Sequence, residues 1–382
     1  MKIGVLTSGG DTASLNAIIY GVGEKIGRQN RLIGFKRGWR GARNLDYAQL
    51  VDINPHIAGT VLKSSRESLD DPDKIATAVK NIESTVDGLI AIGGDDALSV
   101  GRRVLAQTEI PVCFVSKTID NDVGRNMPLG EIDYERIINY FTSGFATAAV
   151  KAATYARELV STSRSHERIM FLETMGRTPG WLALSTYMAK PDFILVPEVD
   201  LDFEHFKGKL DERYKEKGYA IVVVAEGVKY KGSDGPIVQD ATIVDSFGHK
   251  QLGGVAEVLA KRIKEELKID KVNANNPRHL YRCGISTSPD VEAGPSDFDR
   301  KTGIYLGRVA AMAVMNEQTG RLAVLQKLEK DIAARTLPLD DAVEIADSGA
   351  IIPRNLDLRF YNASTYSITD AGREYFKPIM SK

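Results

Sequence analysis

The sequence predicts an α/β protein of two lobes, each built on a mainly parallel sheet. Three observations carry this. Short apolar runs alternate with helix-like stretches over most of the chain. The runs are almost continuously apolar, as in strands covered on both faces. At 382 residues the chain is also too long for most single cores.

In order, KIGVLT (2–7) reads as a buried strand, followed by a glycine turn and a helix over about 15–28. RLIGF (31–35) is a second strand. DKIATAVKNIES (73–84) is amphipathic and precedes the strand GLIAIGG (88–94). A helix from about 97 leads to IPVCFVS (110–116). The second part repeats the rhythm with strands RIMFLET (168–174), FILVP (193–197) and YAIVVVAEG (219–227). Helices at roughly 145–159, 179–188 and 250–266 separate them, and apolar spacing predicts another over 298–316. The last elements have no evident sheet of their own, so the chain is expected to cross between lobes more than once. That gives one lobe of 1–145 with about 289–325, and another of 146–288 with about 326–382.

Hydrophobic content of 43%, charged content of 26% and a net charge of −1 describe a soluble globular protein. They exclude bulk attraction to nucleic acid or an anionic membrane. The two cysteines, Cys113 and Cys283, form no CxxC or Cys/His cluster, which suits a reduced cytoplasmic setting. The N-terminus enters a strand directly, without a signal-peptide core. The longest apolar run, AIVVVA (220–225), is far short of a membrane span.

Ligands of open parallel sheets bind beyond the carboxyl ends of strands. Four turns qualify: TSGGD (7–11), GGDD (93–96), SKTIDND (116–122) and ETMGR (173–177). One cleft built from several of them is the simplest expectation. Gly9, Gly10 and Asp11 suit either phosphate at a helix start or a plain strand–helix turn. No GxGxxG or GxxxxGK[ST] is present. Asp95 and Asp96 begin a helix, where one acid suffices for capping and a second favours Mg²⁺ beside phosphates. In SKTIDND, Asp120 and Asp122 would point the same way if the segment is extended. Lys117 there can carry phosphate charge, although the heptad is also a plausible polar Asx turn. His166 and Arg168 enter the strand at 168–174, and Met175, Gly176 and Arg177 leave it. HER is not HExxH, and an isolated Arg is more often a surface ion pair. Glu226 is a strand-end acid or a helix cap.

Taken together, these residues resemble the phosphofructokinase family of the A-type. The resemblance runs through TSGGDTASLNA (7–17), GFKRGWRGA (34–42), AGTVLKSSR (58–66), GGDDALS (93–99), SKTIDND and GFATA (144–148). It continues through SHERI to MGRTPGWLAL (165–184) and VVAEG (223–227). YSITDAGREYFKPI (366–379) is like the tail of longer, pyrophosphate-using members. The resemblance implies two Rossmann-like lobes, Mg²⁺, and phosphoryl transfer to a sugar hydroxyl. By motif, Asp120 would be the general base and Asp122 its helper, with Asp95 on the metal. Gly10, Arg66 and Thr118 would contact the donor. Arg168 would bind acceptor phosphate, across a subunit interface if the protein is a homodimer or homotetramer. Met175, Gly176, Arg177 and Glu226 would line the sugar site. Relatives using ATP usually carry glycine where Asp96 and Lys117 stand. Asp96 would repel an α-phosphate and Lys117 would hold a terminal one, which favours pyrophosphate and a reversible reaction.

Three departures from the family pattern are expected to matter. Ala13 and Ser14 replace proline and glycine in the first turn. The loop VGRNMPLGEIDYERIINYFTS after Asp122, with Tyr134, Arg136 and Tyr140, is long; it covers a site or an interface, or is a surface insertion. RCGISTS (282–288) lacks the family's Gln-Arg pair near Thr287 and Ser288, and no Arg or Lys occurs from Cys283 to Asp299. Either Arg278 or Arg282 then binds the acceptor phosphate, or the acceptor is another sugar, sugar phosphate or polyol. Fructose 6-phosphate and pyrophosphate remain the first expectation. An ATP-dependent enzyme, a non-catalytic sugar-phosphate sensor and the NAD/lipid kinase group are the alternatives.

Overall fold

The computed structural model describes residues 1–238, 252–286, 288, 290–329 and 331–380. The start of the helix expected at 250–266 and Thr287 lie outside the described residues. The chain divides into two compact units, Met1–Thr147 with Arg282–Arg354, and Ala148–Tyr281 with Asn355–Lys382.

The first unit begins β1 (Lys2–Thr7), α1 (Leu15–Ile26), β2 (Arg31–Phe35), α2 (Trp39–Asn44) and β3 (Tyr47–Gln49). It continues α3 (Pro72–Thr85), β4 (Gly88–Gly93), α4 (Asp95–Leu105), β5 (Val112–Thr118), β6 (Ser143–Gly144) and the start of α5 (Phe145–His166). The sheet order is β3-β2-β1-β4-β5, and β1, β2, β4 and β5 are parallel. Strands β1 and β4 are buried almost throughout, which is why their sequences read as unbroken apolar runs. Helix α1 packs on α9 (Asp297–Met315) through glycines. A Cβ on Gly21 would sit 2.1 Å from the Ile304 carbonyl oxygen, and one on Gly307 2.1 Å from that of Ile18. Only glycine permits this backbone approach.

The second unit holds most of α5, then β7 (Ile169–Thr174), α6 (Trp181–Ser185), β8 (Phe193–Leu195) and α7 (Phe203–Lys217). It ends its sheet with β9 (Ala220–Ala225), α8 (Val255–Leu267) and β10 (Val272–Asn275). All four strands are parallel, in the order β10-β7-β9-β8. The C-terminal segment packs on this unit. Trp181 meets Tyr375 at 5.1 Å and Phe360 at 6.0 Å between ring centroids. The Tyr361 hydroxyl donates to the Ile194 carbonyl at 2.7 Å.

The return between units differs from expectation. Strands β11 (Arg321–Leu328) and β12 (Asp331–Pro338) form one antiparallel ladder, and β11 joins β5. A boundary at 326 would cut this hairpin, so the first unit runs on to Arg354. It also starts its second stretch at Arg282, ahead of the expected 289. Among the described residues no helix is long and apolar enough to cross a membrane.

Candidate active site

Three of the four selected turns, TSGGD, GGDD and SKTIDND, lie at the carboxyl ends of β1, β4 and β5 in the first unit; ETMGR ends β7 in the second. Strands β1, β4 and β5 are adjacent and parallel, so their ends converge.

At the first turn Gly9 takes φ +87° and donates to the Ser65 carbonyl at 3.0 Å. Lys117 leaves β5 beneath it, is only 2% exposed, and donates to the Gly10 carbonyl. A Cβ on Gly9 would stand 3.4 Å from Lys117 Nζ. A Cβ on Gly10 would stand 3.8 Å from the guanidinium carbon of Arg282. Burial pulls the Lys117 ammonium down to about 8, Asp11 opposes this, and the nearby charges of Arg282 and Arg66 reinforce it. Burial raises Asp11, against Lys117 and Arg282. Three cations, Lys117, Arg66 and Arg282, therefore gather at the glycine turn. Arg282, expected on the acceptor, belongs to the first unit and lies over Gly10. Ser14 does not crowd this turn. Its hydroxyl is fully buried and accepts from Ser143 Oγ at 2.7 Å.

The carboxylates form the other half. Asp95 and Asp96 are half-buried in the first turn of α4, after Gly94. Asp122 is 7% exposed, and its Oδ1 has no hydrogen-bond partner among the described residues. Its carboxyl is raised well above the ordinary value by burial, then by the charges of Asp95 and Asp120. The three acids are thus within electrostatic reach of one another. An extended segment would point Asp120 and Asp122 the same way; the segment is not extended, because Asn121 between them is left-handed at φ +57°. Thr118 steadies the turn: its Oγ1 accepts from Asp120 N at 3.1 Å. Among the described residues no three His, Cys, Asp or Glu form a closed ligand cluster. Mg²⁺ takes one or two carboxylates and completes its shell with phosphate and water. The buried, unsatisfied Oδ1 of Asp122 beside Asp95 is a donor set that fits such an ion.

The long loop after Asp122 is anchored at its base. Arg125 and Ile138 bridge antiparallel, and Tyr140 is fully buried. Tyr134 is half-buried, Arg136 is exposed, and the tip carries the exposed Leu129 and Ile132.

In the second unit, Met175 is 7% exposed and Gly176 has φ +136°. The Gly176 carbonyl accepts from Gly227 N at 3.1 Å, which ties ETMGR to the end of β9. There Glu226, 4% exposed, pairs with Arg278 at 3.1 Å. Burial raises Glu226, chiefly opposed by Arg278, with Arg177 acting in the same direction. Glu173, missed in the sequence, lies beneath. It accepts from Gly254 N at 3.2 Å, Ala256 N at 3.1 Å and Asn276 Nδ2 at 2.6 Å. Met175, Gly176, Arg177 and Glu226 are therefore brought together, with Arg278 as the cation. Arg168 is not with them. It stands at the opposite end of β7, bonded to Thr162 Oγ1 at 3.2 Å, roughly 20 Å from Met175 along the strand.

A family model described as Phosphofructokinase matches residues 2–314. A pyrophosphate–fructose 6-phosphate 1-phosphotransferase of Dictyoglomus thermophilum is 36% identical over 329 residues, covering 84% of this chain and 88% of that protein. An ATP-dependent 6-phosphofructokinase 3 of Streptomyces coelicolor is 33% identical over 357 residues, covering 90% and 95%. The crystal structure of a pyrophosphate-dependent phosphofructokinase from Nitrosospira multiformis matches with a TM-score of 0.80 at 22% identity, over 100% of this chain and 92% of that one. That likeness shows the fold, and the family match with the two sequence relatives settles the rest: this chain belongs to the phosphofructokinase family of phosphotransferases.

Proposed function

We propose that this enzyme transfers a phosphoryl group from pyrophosphate to the 1-hydroxyl of fructose 6-phosphate, reversibly, as a cytoplasmic homo-oligomer. Relatives named for each donor have similar identity to this chain, so the donor rests on the residues themselves. The observation that carries the reading is buried Lys117 at the glycine turn, with Arg66 and Arg282 beside it. Three cations there suit the concentrated charge of pyrophosphate. Asp96, on the first turn of α4, sets a negative charge against an α-phosphate and its nucleoside.

In this reading Lys117, Arg66, Arg282 and the turn at Gly10 hold the donor. Asp120 takes the proton of the acceptor hydroxyl, whose oxygen then bonds to the transferred phosphorus as the bond to the departing phosphate breaks. Thr118 fixes Asp120. Asp95 and Asp122 would hold Mg²⁺, which offsets charge on the transferring group. On the acceptor, Glu226 accepts a sugar hydroxyl, Arg278 and Arg177 take the anionic end, and Met175 and Gly176 shape the wall. Arg168 is too far along β7 to serve the same site and is assigned to a neighbouring copy's.

One observation favours a second acceptor. Ser288 stands where the family pattern has Arg, and no cation follows until Arg300. A sugar or polyol without a distal phosphate fits that loss. Phosphorus NMR with pyrophosphate or ATP, across sugars, polyols and sugar phosphates, decides. Turnover of fructose 6-phosphate with pyrophosphate, lost in Asp120→Asn, is expected; equal turnover with ATP refutes the donor assignment.

A further inference from the structure

Arg354 closes the first unit, beyond residues 2–314 matched by the family model, and is 5% exposed. Its guanidinium is spent on backbone carbonyls. Nε and one terminal nitrogen donate to the Asn121 carbonyl at 3.1 and 2.7 Å. The other terminal nitrogen donates to Asn139 at 2.9 Å and Ile138 at 3.2 Å. Arg354 N donates to the Asp122 carbonyl at 2.6 Å.

Both Asn121 and Asn139 are left-handed, at φ +57° and +58°. A left-handed residue swings its carbonyl out of the strand ladder, and a buried carbonyl then needs a donor from elsewhere. Both residues are fully buried. One guanidinium supplies both turns, because its planar fork presents several donors in fixed directions. The side chains interlock as well. Asn121 Oδ1 accepts from Thr142 N at 3.0 Å, and Asn139 Nδ2 donates to Val123 O and Ser116 Oγ, each at 2.7 Å. Asn121 is the residue between Asp120 and Asp122, so its direction sets theirs. Gly124 keeps the space open: a Cβ there would stand 3.0 Å from an Arg354 terminal nitrogen.

We propose that Arg354 is a positioning residue: gripping the Asn121 and Asn139 carbonyls, it holds Asp120 and Asp122 in their catalytic directions and makes the long loop's base part of the active-site scaffold. The inference rests on the proposed roles of Asp120 and Asp122.

The test uses Arg354→Lys and Arg354→Met in the full chain, with kcat, both KM values, thermal melts, and the same Lys change in Asp120→Asn. Lysine keeps the charge but cannot span four carbonyl contacts. Expected are a fall in kcat of at least tenfold for Arg354→Lys with both KM values within twofold, and less than a twofold further effect in Asp120→Asn. Guanidinium added to Arg354→Met should restore part of the rate. If folded Arg354→Lys keeps kcat within twofold, or loses only melting temperature, the inference fails. If both KM values rise with kcat unchanged, it fails too. Full activity of Asp120→Asn overturns the underlying catalytic reading instead, and is told apart by that single variant. Should Arg354→Met not fold, Arg354→Lys alone decides.

Discussion

Replacing Lys117 by methionine isolates one charge. The side chain keeps its length, loses its ammonium, and is 2% exposed, so its phosphate contact would be made out of water. A hydrogen bond to a charged group contributes about 1.5–3 kcal/mol. At about 1.4 kcal/mol per decade, the KM for pyrophosphate should rise roughly 10- to 150-fold. Acceptor KM should stay within twofold. The fold should not suffer comparably, since burial already works against this ammonium. Initial rates over a pyrophosphate series at saturating Mg²⁺ and acceptor, with a thermal melt, provide the assay. Arg282→Gln is the paired measurement, because its guanidinium lies over Gly10. It should raise the same KM and spare the acceptor's. A pyrophosphate KM within threefold of wild type in Lys117→Met would refute the donor argument. An acceptor KM that moves instead in Arg282→Gln would return that residue to the sugar.

Two further outcomes are expected. Lys117 is held at about 8 in the fold against 10.5 for the free side chain. Between these values the unfolded chain binds a proton that the fold does not. The Lys117 contribution to stability is therefore present above about 10.5 and lost as pH falls through about 8. In turnover, kcat/KM for pyrophosphate should drop as pH rises through about 8, and Lys117→Arg should lack that inflection; identical profiles would exclude Lys117 as its source. Asp299 is 1% exposed and accepts from Gly144 N at 3.0 Å, and from Thr147 N and Oγ1 at 2.7 and 2.5 Å. Asp299→Ala should cost about 2–4 kcal/mol in urea denaturation, by orphaning those donors at the start of α5.

The fold was legible wherever a segment is buried on both sides. Strands β1, β4, β5, β7 and β9 stand where apolar runs placed them, because parallel strands under helices have no solvent face. Helix α7 escaped notice because Phe203, Phe206 and Leu210 are its only buried side chains among charged neighbours. Strand β10, VNAN, has one buried residue, one exposed and two half-buried. The β11–β12 hairpin was divided between lobes because pairing is a property of two strands, and neither sequence names its partner. At the site, the strand-end turns were legible from glycine and acid placement. The placement of Arg282 was not, since only three residues separate it from Arg278 in the RHLYR turn while the two lie in different units. Nor was Glu173, which reads as one more residue of a buried strand.

If the cluster at β1, β4 and β5 is the active site proposed above, it gives up stability for chemistry. Asp122 is buried beside two like charges, and Lys117 is buried beside two cations that Asp11 and Asp95 only partly offset. Each group is costly where it stands, and burial is the first cause of each shift. A fold selected for stability alone would separate these charges or expose them. In the proposed reading, a polyanion and a divalent cation bound together would reverse both costs: the phosphates would neutralise Lys117, Arg66 and Arg282, and the ion would neutralise Asp95 and Asp122. Pyrophosphate with Mg²⁺ should therefore raise the melting temperature well beyond what either gives separately, because each satisfies charges the other leaves buried.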